Sequence, residues 1–142
     1  MEMKMENFAA RWIYMAVIYF VVAVGLGIFM GASHDHSLMA VHAHLNLLGW
    51  VSQGLTGVIY HYFQNAGRSK LASAHFWIYN VALAPMMLAL ALLLKGNVAA
   101  EPVLGILSMV MGISILLFAI NMFLPRKAND SASERRADLV LQ

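Results

Sequence analysis

Apolar positions in this chain fall into four long runs, broken only briefly by polar residues. The runs cover residues 7–31, 38–63, 71–94 and 98–124. None alternates with a period of two, so strands are excluded. Each run supplies the roughly 20 apolar residues a helix needs to cross a hydrocarbon core. The connections, ASHDHS, QNAGRSK and KGN, are short. Short connections join antiparallel neighbours, so the pattern predicts an all-α integral membrane four-helix bundle. Pro85 lies inside the third run and predicts a kink, and Pro125 stops the fourth. One four-span domain, residues 1–125, is expected to precede a polar cytoplasmic tail, 126–142.

Composition turns the membrane from one option into the expected solvent. Of 142 residues, 61% are hydrophobic and only 11% are charged, against about 25% charged in a soluble domain. The mean hydropathy is +0.71. The first run is too long for the apolar core of a signal peptide and is expected to remain as a span. The absence of cysteine removes disulfides, iron–sulfur clusters, thiolate haem ligation and cysteine-attached haem. Six histidines and eleven methionines remain as candidate ligands.

Charge placement orients the bundle. Lys4, Arg11, Arg68, Lys70, Arg126, Lys127, Arg135 and Arg136 fall on one side of the four runs, and Lys95 alone falls on the other. This asymmetry puts both termini in the cytoplasm and the His34-Asp35-His36 loop outside, as in a multi-pass protein of a bacterial-type inner membrane. The tail arginines fit orientation and anionic lipid. No basic nucleic-acid stripe, phosphate loop or nucleophile triad occurs.

The second run carries the candidate chemistry, in the stretch AVHAHLNLLGWV. Residues two apart on an α-helix point to opposite sides, so His42 and His44 serve different neighbours. His42 shares a small, polar stripe with Asn46, Gly49, Gln53, Gly57 and Tyr60. His44 shares a bulky apolar face with Val51, Leu55 and Val58. Both lie roughly 6–9 Å below the outer boundary at the helical rise. An intramembrane histidine can hydrogen-bond to a neighbouring helix. It is also a functional-site hypothesis by default. Two on opposite faces, one among aliphatics, fit non-covalent haem ligation, with glycines admitting a flat ring or a second helix.

VHAHLNLLGW followed by HFWIYN (75–80) resembles the catalytic subunit of haem–copper oxidases and their nitric oxide reductase relatives. His42 and His44 match an outer-side H-x-H that ligates two haems from one helix. His75, Phe76 and Trp77 match the H-F-W of the next helix, whose histidine is not a haem ligand in the family. The resemblance implies haem b bound through His42 and His44, with Asn46, Gly49 and Gln53 lining the site. The chain departs from the family in having four spans rather than twelve or more. It also lacks the H-P-E-x-Y-type helix and the H-H pair that hold copper, so one copy is not expected to be a complete oxidase. The family subunit is built from three pseudo-equivalent four-helix arcs. A homotrimer of this chain would imitate that plan, with His44 of one copy and His42 of the next on one iron. A dimer sharing a haem is the alternative assembly. The redox partner is left open.

Other polar groups keep two readings each. His61 and His75 either meet across a hairpin or sit at headgroup level with Tyr60, Tyr62 and Trp77. His34 and His36 flank Asp35, a set that suits zinc or copper(II) but lacks the fourth ligand of a closed site. Met39, Met86, Met87, Met109 and Met111 are packing or an axial ligand. Glu101 suits the helix N-terminus it opens. The function expected is electron transfer through bis-histidine haem held between subunits. The alternatives are copper, zinc or proton handling, and a non-haem accessory subunit of an oxidase.

Overall fold

A computed structural model describes residues 3–125, with side chains from Phe8 onward. The tail at 126–142, with Arg126, Lys127, Arg135 and Arg136, lies outside the described residues, as does the side chain of Lys4. All described elements are helical. They are α1 (Met3–Ser33), α2 (Met39–His44), a π-helical segment (Leu45–Ser52), α3 (Gln53–Tyr62), α4 (Gln64–Gly67), α5 (Lys70–Leu94), a 3₁₀ turn (Val98–Ala100) and α6 (Glu101–Phe123). Three helical stretches, Phe8–Ser33, Lys70–Leu94 and Val98–Phe123, are long and apolar enough to cross a membrane. α2, the π segment and α3 follow one another without a break.

Local chemistry explains the boundaries. Ser69 caps α5, its hydroxyl accepting from the amide of Ala72 at 3.0 Å. Pro85 sits within α5 without ending it. Gly96, at φ 92°, lets the chain leave α5 in the left-handed region, with its amide on Leu93 O and that of Asn97 on Leu92 O. Asn97 then accepts from Ala99 N, and Pro102 starts α6 where its missing N–H is not needed. Leu124 is extended ahead of Pro125, as the proline ring requires. The QNAGRSK connection is not wholly irregular: Gln64–Gly67 forms a helical turn, and the carbonyl of buried Ala66 accepts from Asn121.

The molecule is apolar outside, and its largely apolar core encloses a few polar side chains. Tyr14, Ile106 and Met109 are 68%, 63% and 73% exposed, whereas Gln53, Thr56, His75, Ser114 and Asn121 are buried. That distribution is suited to lipid, where the outer surface needs no polar atoms and polar side chains pair between helices.

α1 buries a stripe of Ala9, Trp12, Ala16, Tyr19 and Ala23. Its alanines recur every seven residues, and the facing chain approaches closely there. A Cβ at Gly49 would lie 2.6 Å from Tyr19 Cβ, and one at Gly57 would lie 2.8 Å from Ile13 Cδ1. Position 54 stands opposite Ala16. The two stretches are therefore antiparallel and in tight register. α5 and α6 form the other hairpin, packed on this pair through Phe76, Tyr79, Leu83, Met86 and Met111.

The π segment alters the expected stripe. Val41, Leu45, Gly49, Gln53 and Gly57 form the inward line, while His42 and Asn46 stand half-buried beside it. In an α-helix, positions four apart drift by about 40° per step. The wider π turn takes in extra chain and cancels that drift. Gly49, Gln53, Gly57 and Tyr60 thus face inward as expected, but His42 and Asn46 are displaced from their line.

Candidate functional site

His42 and His44 face different neighbours. His42 Nδ1 donates to the α1 carbonyl of Ala23 at 2.9 Å. Its ring lies over Gly27, where a Cβ would meet His42 Cε1 at 2.9 Å. Since a carbonyl only accepts, the neutral ring carries its proton on Nδ1 and leaves Nε2 bare. Asn46 Nδ2 lies 3.3 Å from that Nε2 and 3.0 Å from the His42 carbonyl. His42 is thus clasped between α1 and its own next turn.

His44 is exposed, and its Nδ1 donates to Ala40 O at 2.7 Å. This contact again leaves Nε2 bare in the neutral ring, here without a protein partner among the described hydrogen bonds. His44 and Leu48 form one bank of an open groove of about 360 Å³ whose other bank is α5 and α6. Met86, Met87, Leu90, Met111 and Gly112 line it. Ser108 supplies the polar contact there, donating to Leu104 O at 2.8 Å and lying 3.7 Å from Met86 Sδ. Imidazole beside an apolar, thioether-lined groove suits a flat apolar cofactor. The groove lies between these two banks and is open to the surface.

Asn46 reaches His42, whereas Gly49 and Gln53 turn inward from both histidines. Gly49 serves the close approach of α1. Gln53 is 0% exposed, and neither amide atom meets a protein partner among the described residues.

Asp35, between His34 and His36, pairs with Lys95 at 2.7 Å and accepts from Ser37 N at 2.9 Å, which ties the α1–α2 connection to the one that follows α5. Those contacts, the Lys95 ammonium first, hold its carboxyl far below the ordinary carboxylate range. His36 Nδ1 donates to His34 O, and His34 adopts a positive φ of 56°. No group of three or more His, Cys, Asp or Glu side chains able to hold a metal occurs among the described residues.

His75 is 2% exposed in the core and pairs with Tyr60 rather than with His61, which is itself exposed. Trp12 lies 4.6 Å away between ring centroids and Phe118 5.2 Å, with Tyr60 and Tyr79 edge-on. His75 Nδ1 shares a 3.1 Å hydrogen bond with the Tyr60 hydroxyl, which also accepts from Asn121 Nδ2 at 3.3 Å. Asn121 Oδ1 in turn accepts from the Ser69 hydroxyl at 2.6 Å. Ser114 donates to His75 O at 3.1 Å. Together with the bond from Asn121 to Ala66 O, this network joins α3, α4, α5 and α6. Ser114 and Asn121 are seven residues apart in the most hydrophobic run, and that spacing was its only sequence signal.

No family model, curated protein or solved structure matches the chain.

Proposed function

We propose that this chain is a four-span b-type haem protein of a bacterial-type inner membrane, with both termini cytoplasmic, carrying electrons through haem held between copies. The observation that carries the proposal is His44. Its Nδ1 is engaged by Ala40 O, its Nε2 is bare, and it borders an apolar groove open to the molecular surface. Orientation of a ligating imidazole by a carbonyl on its other nitrogen is the usual arrangement at iron and other metals. The resemblance of the H-x-H and H-F-W segments to haem–copper oxidases supports the same reading. Haem bound there supplies one-electron transfer, and the protein's levers are the axial ligand and the dryness of the groove.

The opposite ligand comes from another copy. His42 of the next subunit in a trimer is one source, but that ring must first part from Asn46. A second His44 in a two-fold dimer needs no such change. A second function, copper(I) handling, is favoured by Met86, Met87 and Met111 beside His44, since thioether and imidazole suit that ion.

The test is a visible spectrum of the purified protein in detergent, oxidised, then reduced, then with carbon monoxide. Sharp reduced bands indifferent to carbon monoxide are expected for two histidine ligands. A carbon monoxide shift would mean an open iron position and gas binding. A protein that stays colourless when haem is supplied overturns the haem reading.

A further inference from the structure

The glycines of this chain divide by what surrounds them. Gly27, Gly49, Gly57 and Gly67 stand where a Cβ would come within 3.0 Å of a neighbouring side chain or carbonyl, so close packing accounts for them. Gly112 is different. A Cβ there would meet nothing within 4 Å, and the residue is exposed. It lies in the middle of α6, where glycine weakens a helix relative to alanine. No close approach among the described residues offsets that weakness. Of the glycines with such open surroundings, Gly112 is the one that lines the His44 groove.

The shape of the groove narrows what it can hold. Its α6 bank runs from Leu104 to Ile115, three helical turns or roughly 16 Å at the helical rise. A lone metal ion, with ligand bonds of about 2 Å, fills one point of such a length. A lipid chain would fill the length but make no use of His44, whose Nε2 is bare. An extended flat ring with a metal at its centre uses both the length and the imidazole.

We infer that Gly112 is the residue that admits a flat macrocycle to the groove, by letting the ring lie against bare helix backbone on the α6 side while His44 takes its metal. The inference rests on the haem reading and adds to it where the ring lies and what sets the room for it. A side chain at position 112 would project into the space the ring needs. His44 would keep its bare Nε2.

The experiment titrates ferric haem b into the full chain in detergent, for the parent and for Gly112→Ala, Gly112→Val and Gly112→Leu, and melts each haem-free protein. Haem affinity should fall stepwise with side-chain size, at least tenfold from the parent to Gly112→Leu. Melting temperatures should not fall with it. Gly112→Ala should melt no lower than the parent, since its methyl enters open space. Diethyl pyrocarbonate, a probe small enough not to need the whole groove, should modify His44 to the same extent in every variant. A parent that binds no haem overturns the haem reading and this inference together. A parent and a Gly112→Leu that bind haem equally leave the reading standing and overturn the role of Gly112. A loss of affinity that tracks the melting temperature, or a loss of His44 modification, overturns it too. Native mass measurement of the haem-free chains completes the test. An unchanged copy number is expected, and a change in Gly112→Leu overturns the inference by assigning the glycine to helix contact between copies.

Discussion

The exposed His44 and the buried His75 occupy opposite physical situations within one small bundle. His75 is enclosed by Trp12, Phe118, Tyr60 and Tyr79 and tied into a network that reaches Ser69 through Asn121. His44 stands at an open groove with one nitrogen engaged and the other bare. Burial saturates a polar group with internal partners and makes it part of the fold. A group with one oriented nitrogen and an uncovered neighbour is left able to bind something else.

The largest expected effect comes from breaking the buried member. His75→Ala removes a ring packed against four aromatics and leaves Tyr60 short of a partner, which costs about 3–5 kcal/mol of stability. Denaturant unfolding in mixed micelles measures it. The same variant should bind haem in unchanged stoichiometry if it folds. His44→Ala should do the reverse. Haem absorbance should disappear, while the stability of the haem-free protein stays within about 0.5 kcal/mol of the parent, as for other exposed substitutions. Retention of the full spectrum in His44→Ala would erase the contrast.

Intermediate effects test what holds the two regions in place. Gly49→Ala puts a methyl into Tyr19 and is expected to cost about 1–3 kcal/mol by overpacking. Asn121→Leu severs Ser69 from Tyr60 and leaves the Ala66 carbonyl without that donor, costing about 1–3 kcal/mol. Both should lower the melting temperature and leave the haem spectrum, where present, in place.

The smallest effect belongs to the exposed Asp35–Lys95 pair. Asp35→Asn removes an exposed pair with Lys95, and the melting temperature at neutral pH should barely move, still less in high salt. The sign of its pH dependence is set by the depressed carboxyl. The contribution is complete above the ordinary value of 3.8 and is lost as pH falls toward the lower folded value. A melting curve of the parent minus that of Asp35→Asn should therefore narrow only in acid.

Much of this contrast is visible in the chain itself, though unevenly. The outward direction of His44 follows from its α-helical spacing with Val51, Leu55 and Val58, all exposed. The displacement of His42 and Asn46 from the inward line does not, because the π turn between Leu45 and Ser52 is not encoded in any periodic pattern. His75 reads as a headgroup residue by its distance from the span's start. Its enclosure depends on Trp12 from α1 and Phe118 from α6, which are 63 residues before it and 43 after it in the numbering.

Hydrophobic length and period predicted the helical class and four spans, of which the structure shows three as single helices long and apolar enough to cross a membrane. Those properties are local: they depend on each segment's exchange of water for hydrocarbon and on caps such as Ser69 and Gly96. Tertiary packing decided which polar groups become structure and which stay available. Partners for His75 and Asn121 come from other helices. The register of those helices is set by close contacts such as Gly49 against Tyr19, which no single segment specifies.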